Sequence, residues 1–144
     1  MTPSNRRIAA LLTHAGILPP WLLLAVHVLT PLEGLHLFAL SYGAVITSFV
    51  CGMHWGMFTR SDERMTVNLL VTSNVGALLA WGAVLLSAWW VPAAFIGLAL
   101  ILGALLALDW RLLKSGNTEP WFWAIRRNAT IGLAASLLLW AVLA

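Results

Sequence analysis

Five long apolar runs, separated by short polar links, account for most of the chain. They cover about residues 8–29, 35–58, 67–86, 93–108 and 121–143. Each comes close to the ~20 residues a helix needs to cross a ~30 Å hydrocarbon core. The first link, Thr30 to Gly34, is short enough to return the second run antiparallel beside the first. The others are Thr59 to Arg64, the Trp89-Trp90 pair ahead of Pro92, and a polar loop from Asp109 to Pro120. This pattern predicts an all-α integral membrane bundle of five transmembrane helices, forming a single domain over residues 1–144. Pro19 and Pro20 fall inside the first run. They predict a kink there, because Pro20 lacks an N–H for the helix ladder and its ring crowds the preceding turn.

The second run differs from the rest. Ala44, Ser48, Gly52 and Gly56 recur at four-residue spacing, so on a helix they form one narrow stripe almost free of side chains. Thr47, Cys51 and His54 lie beside it, with polar atoms that lipid cannot satisfy. The stripe, which includes the GxxxG pair Gly52 and Gly56, predicts a helix-packing seam. Its neighbour is expected to be the third run, where Asn68, Thr72 and Gly76 make a similar stripe. Self-association is the other use of such a seam.

Composition fixes the solvent. Hydrophobic residues make up 61% of the chain and charged residues 9%, with a mean hydropathy of +0.90. A water-soluble domain of 144 residues could not bury that much apolar surface, so membrane lipids are the expected partners. The net charge of +3 does not call for nucleic acid, since the basic residues sit between apolar runs. With five spans, Arg6, Arg7, Arg60, Arg64, Arg111, Lys114, Arg126 and Arg127 all fall on the side of the N-terminus. The positive-inside rule then predicts a cytoplasmic N-terminus and a C-terminus outside, in the cytoplasmic (inner) membrane of a bacterium. Trp55, Trp110, Trp121 and Trp123 are expected at the inner interface, Trp89, Trp90 and Trp140 at the outer one, and Trp21 and Trp81 packed deeper. Arg6 and Arg7 precede the first run as in a signal peptide, but no small-residue cleavage site closes it before Pro31, so a retained span is expected. One cysteine, Cys51, excludes an internal disulfide framework.

His14, His54, Asp109, Arg126 and Arg127 fall in one slab of this topology, near the cytoplasmic leaflet. Two readings follow. In one, Asp109 pairs with an arginine, the arginines snorkel to headgroups and the histidines cap neighbouring helices. In the other, they line a cytoplasm-facing polar pocket for an anionic headgroup, a substrate or a proton. On the opposite side His27 and His36 flank Glu33, a set that could hold a metal or a haem. No HxxxH spacing places two of them on one helix face, and no cofactor is assigned. P-loop, dinucleotide-binding, zincin and GxSxG motifs are absent, so no enzyme activity is expected.

The segment YGAVITSFVCGMHWG, Tyr42 to Gly56, resembles a family of small integral-membrane proteins that includes transmembrane-protein-69-like sequences. Further along its length the chain matches that family at Gly16-Ile17-Leu18-Pro19, at Leu78 to Trp81, at Asp109-Trp110-Arg111, at Pro120-Trp121-Phe122, and at Arg126 or Arg127 with Thr130. Cys51 stands where the family has glycine, and Phe122 where it has tyrosine. The resemblance supports five spans and brings no activity or ligand. It singles out Tyr42, Gly52, His54, Trp55, Gly56, Asp109, Arg111, Trp121, Arg126 and Thr130. The candidate pocket is His14 with Tyr42, His54, Asp109, Arg111, Arg126 and Thr130. The leading expectation is a non-catalytic scaffold or accessory subunit of a membrane complex. The alternative is a binding or conducting module for a proton, quinone, haem or small solute.

Overall fold

A computed structural model describes residues 2–30, 32–60 and 68–144. Pro31, Ser61 to Arg64 and Val67, the expected start of the third span, lie outside the described residues. Six helical segments are present among the described residues: α1 (Pro3–Ala15), α2 (Leu18–Leu29), α3 (Leu35–Arg60), α4 (Leu69–Leu86), α5 (Val91–Lys114) and α6 (Pro120–Leu143). Among the described residues four stretches are long and apolar enough to cross a membrane: Pro3–Leu29, Leu35–Arg60, Leu69–Leu86 and Val91–Lys114. The 24-residue α6 carries Arg126 and Arg127 in its second turn and packs most extensively along α5.

Helix starts follow local chemistry. The Thr2 hydroxyl accepts from Asn5 N at 3.3 Å ahead of Pro3. The Asn68 side chain accepts from Leu70 N and Val71 N at the start of α4. Pro92 and Pro120 sit in the first turns of α5 and α6, where a missing N–H costs nothing. The predicted kink falls between α1 and α2 at Gly16 and Ile17, both still in the right-handed helical region.

The fourth run departs from its expected end at Leu108. Asp109 to Lys114 is helical, and α5 ends at Lys114, two residues before Gly116. That glycine has φ +75°, with Gly116 N donating to Leu113 O at 3.0 Å and Asn117 N to Leu112 O at 2.9 Å. A polar residue ends a helix when it must reach water. Asp109 finds partners inside the bundle instead, so the loop shrinks to Ser115–Glu119.

Helix directions alternate. Gly43 of α3 approaches Leu98 of α5, and His54 of α3 meets Asp109 of α5, a separation of 55 residues in both cases (98 − 43 and 109 − 54). Hence α3 and α5 run parallel and in register. Against them α6 runs the other way, because Gly43 also approaches Leu137 while Asp109 meets Arg126. The α1–α2 arm runs with α6, joined by Arg6 to Glu119 near one end and by Pro20 to Trp140 near the other.

The main core sits toward the α2 end, where Leu40, Phe95, Leu98, Leu137 and Trp140 are fully buried and the Trp140 ring stacks on Phe95. Trp140, expected at the outer interface, is fully buried inside the bundle. It fills the space beside α2 and donates from Nε1 to Pro20 O at 3.1 Å. Trp81, expected to pack, is 61% exposed. Leu11, Leu29, Leu100 and Val142 are also widely exposed, an extensive apolar surface that suits a membrane.

The small-residue stripe is corrected as well. The buried face of α3 is Ala39, Leu40, Gly43, Thr47, Val50, Cys51 and His54. Ser48, Gly52 and Gly56 are exposed, Ala44 is half-buried, and a Cβ on Gly52 or Gly56 would meet nothing within 4 Å. The seam runs one position away: His54 turns inside to meet Asp109, and Thr47 is satisfied within α3 by Gly43 O at 2.8 Å. The expected neighbour does hold. Helix α4 packs on α3, with Gly76 so close that a Cβ there would lie 2.9 Å from Cys51 Sγ.

Candidate functional site

Three helices each bring one ionisable side chain to a common point. His54 Nε2 donates to Asp109 Oδ1 at 2.8 Å, and Arg126 Nε donates to Asp109 Oδ2 at 3.1 Å. The exposures are 1%, 1% and 5% for His54, Asp109 and Arg126, so the cluster is shut away from solvent. The register of α3 with α5 sets the first contact, and the antiparallel return of α6 sets the second. Both carboxylate oxygens are thus occupied.

The remaining donors and acceptors are not. Among the described residues His54 Nδ1, Arg126 Nη2 and Thr130 Oγ1 are buried without a hydrogen-bond partner. An unpaired guanidinium nitrogen at this depth is costly.

A crevice of about 540 Å³ lies between α1, α3 and α6. Its walls include Ala9, Leu12, Thr13 and Gly16 from α1, Ile46, Phe49, Val50 and Met53 from α3, and Trp121, Phe122, Ile125, Ala129 and Leu133 from α6. Arg126 completes the lining as its one charged residue. Along α6 the crevice extends from Trp121 to Leu133, roughly 18 Å at ~1.5 Å per residue. It is long, narrow and apolar, with a single cationic group in its wall.

The other expected pocket residues lie elsewhere. His14 is exposed and donates from Nδ1 to Ala10 O at 2.7 Å on its own helix. Arg111 is exposed beside an apolar groove between α4 and α5. Tyr42 is 12 residues from His54 on α3, ~18 Å along the axis, and donates to Gly16 O at 2.7 Å. Thr130 is buried one turn beyond Arg126. Of the expected set, the structure joins His54, Asp109 and Arg126.

On the far side, His27 is half-buried with its ring 5.0 Å from that of Trp140, and its Nε2 donates to Leu143 O at 3.4 Å. Glu33 is exposed. Among the described residues no three His, Cys, Asp or Glu side chains are grouped so as to hold a metal. Cys51 shares the buried face of His54, yet no hydrogen bond joins the thiol to His54 Nδ1.

At the basic end, Arg6 pairs with Glu119 at 2.7 Å and lies 5.2 Å over the Trp121 ring. Lys114 covers Trp110 and Arg127 covers Trp123, each at 5.0 Å. These three cation–ring pairs gather tryptophans and basic residues at one end of the bundle.

The family profile described as protein of unknown function (DUF3429) matches residues 5–142. The chain belongs to the DUF3429 family. The match reaches into every helical segment described above and takes in both the His54–Asp109–Arg126 cluster and the crevice walls. No curated protein and no solved structure matches the chain significantly.

Proposed function

We propose that this DUF3429 protein is a non-catalytic binding module of the membrane, which holds an amphiphilic molecule in the crevice between α1, α3 and α6. The carrying observation is the position of Arg126, whose Nη2 has no partner although the residue lines an otherwise apolar crevice. A hydrocarbon chain suits the walls, and a polar head suits the guanidinium. The absence of a hydrogen bond from Cys51 to His54 argues against a thiol nucleophile activated there.

The chain makes five crossings in this reading, with the basic belt of Arg6, Lys114 and Arg127 in the cytoplasm and the C-terminus outside, in a bacterial cytoplasmic membrane. The alternation of helix directions and the clustering of cations over tryptophans at one end support it. The resemblance to transmembrane-protein-69-like sequences at Tyr42 to Gly56 fits the same architecture.

The test is to purify the protein in a mild detergent and weigh it by native mass spectrometry, beside an Ala9→Trp variant that fills the crevice from α1. Helix α1 has no buried residues, so the substitution adds bulk without overpacking a core. A bound mass on the wild type that Ala9→Trp removes is the expected result. Bare chain in both preparations counts against the proposal.

A second reading is an accessory subunit of a larger membrane complex. It draws support from the outward stripe of Ser48, Gly52 and Gly56, which the chain leaves unused. A reproducible partner in mild-detergent pull-down, lost in Gly52→Leu, would favour it over the first.

A further inference from the structure

The groove between α4 and α5 ends at a cation that no protein group answers. We infer that this groove seats one acyl chain of an anionic glycerophospholipid, whose phosphate rests on Arg111 and Lys114. The site is separate from the crevice between α1, α3 and α6 and does not rest on that reading.

The groove encloses about 400 Å³ between Val71, Val75 and Leu79 of α4 and Ile101, Ala104 and Leu108 of α5. Ala104 is exposed, and its small side chain leaves the groove open. Arg111 lines the end of the same groove. From Arg111 to Ile101 is ten residues of α5, ~15 Å at ~1.5 Å per residue. That is half of a ~30 Å hydrocarbon core, the reach of one acyl chain within one leaflet.

Charge selects the headgroup. Arg111 is exposed, and among the described residues no hydrogen bond or ion pair falls to it. Lys114, one turn further, is exposed with the Trp110 ring at 5.0 Å and forms no ion pair with a described residue. Helix α4 carries no carboxylate, and Asp109 of α5 is buried with its oxygens met by His54 and Arg126. Glu119, exposed near this end, is taken by Arg6 at 2.7 Å. The C-terminal dipole of α5 favours cations in its last turn. It neutralises neither, and like charges three residues apart repel. A phosphate relieves that repulsion and matches the guanidinium fork. The apolar floor leading away from Arg111 suits a phosphate that carries a chain, and a free phosphate would leave it unused. A choline headgroup would bring its own cation beside the other two, so the net anionic lipid is the better fit.

Photolabelling of the full chain, reconstituted in phosphatidylcholine bilayers, tests the inference. The probe is phosphatidylglycerol with a diazirine midway along one acyl chain, and labelled positions are mapped by peptide mass spectrometry. Labelling is expected at groove residues such as Val75, Leu79, Ile101 and Ala104. Phosphatidylcholine carrying the same diazirine should label them at least about fivefold less. Arg111→Gln should weaken labelling about fivefold, and Arg111→Gln with Lys114→Gln roughly 25-fold. Ala104→Phe, which fills the groove and leaves both cations, should abolish it. Ala9→Trp, which fills the separate crevice, should change nothing. Should Arg111→Gln not fold, the ratio of the two probes on the wild type decides. Equal labelling by both probes, or labelling spread evenly over the outer faces of the helices, overturns the inference. So does its loss in Ala9→Trp, which would seat the probe in the crevice. No labelling of the groove overturns it too, and leaves the groove to a partner helix.

Discussion

The Tyr42 hydroxyl donates to the Gly16 carbonyl at 2.7 Å, and Gly16 is the residue four before Pro20. In an unbroken helix that carbonyl would accept from the N–H of residue 20, which proline does not have. The kink between α1 and α2 is thus completed by a side chain from α3. Two tryptophans add to it. Trp140 donates to Pro20 O, and Trp21 donates to Gly132 O at 3.0 Å.

Tyr42→Phe should therefore leave the Gly16 carbonyl short of a donor within the membrane and cost about 1–3 kcal/mol. In a Pro20→Ala background the restored N–H can take over that carbonyl, so the same change should cost much less. Unfolding in mixed micelles for the four proteins measures the difference. Equal costs in both backgrounds would show that Tyr42 and Pro20 are not linked.

Glycines separate by what faces them. Gly76→Ala would place a Cβ 2.9 Å from Cys51 Sγ, and Gly132→Ala would place one 2.8 Å from Ile17 Cγ2. Each should destabilise by about 1–3 kcal/mol, and Cys51→Ala should relieve the first. Gly52→Ala and Gly56→Ala meet nothing, so the isolated chain should tolerate both. Loss of stability at Gly52 would mean that another helix covers the stripe.

The neighbouring arginines of α6 should behave oppositely. Arg127 is exposed over Trp123, and Arg6 and Glu119 are also exposed. Arg127→Ala and Arg6→Ala should each cost no more than about 1 kcal/mol in melting experiments. A large loss at Arg127 would place it in the interior and Arg126 at the headgroups.

Much of this was legible in the residues. Hydropathy alone defined the apolar segments, and the proline pair located the kink. His54, Asp109 and Arg126 share a depth because each is a polar residue a few turns from the same set of basic links. Depth is only one coordinate, however. It could not say that His14 and Arg111 turn outward while those three turn inward. The stripe on α3 misled because, in lipid, outer and inner helix faces are equally apolar, and small residues do not mark which is which. The crevice left no trace either. Ala9, Ile46 and Phe49 look like any lipid-facing residues until three helices place them around one space.

The account depends on Asp109 and Arg126 satisfying each other inside the bundle instead of reaching headgroups, and a double-mutant cycle tests that most directly. Asp109→Leu, Arg126→Met and the double variant are compared by unfolding in the same detergent. Each single change should cost about 3–5 kcal/mol by stranding a buried charge, and the double variant should recover most of that loss. Additive costs, or single costs under about 0.5 kcal/mol, would contradict it.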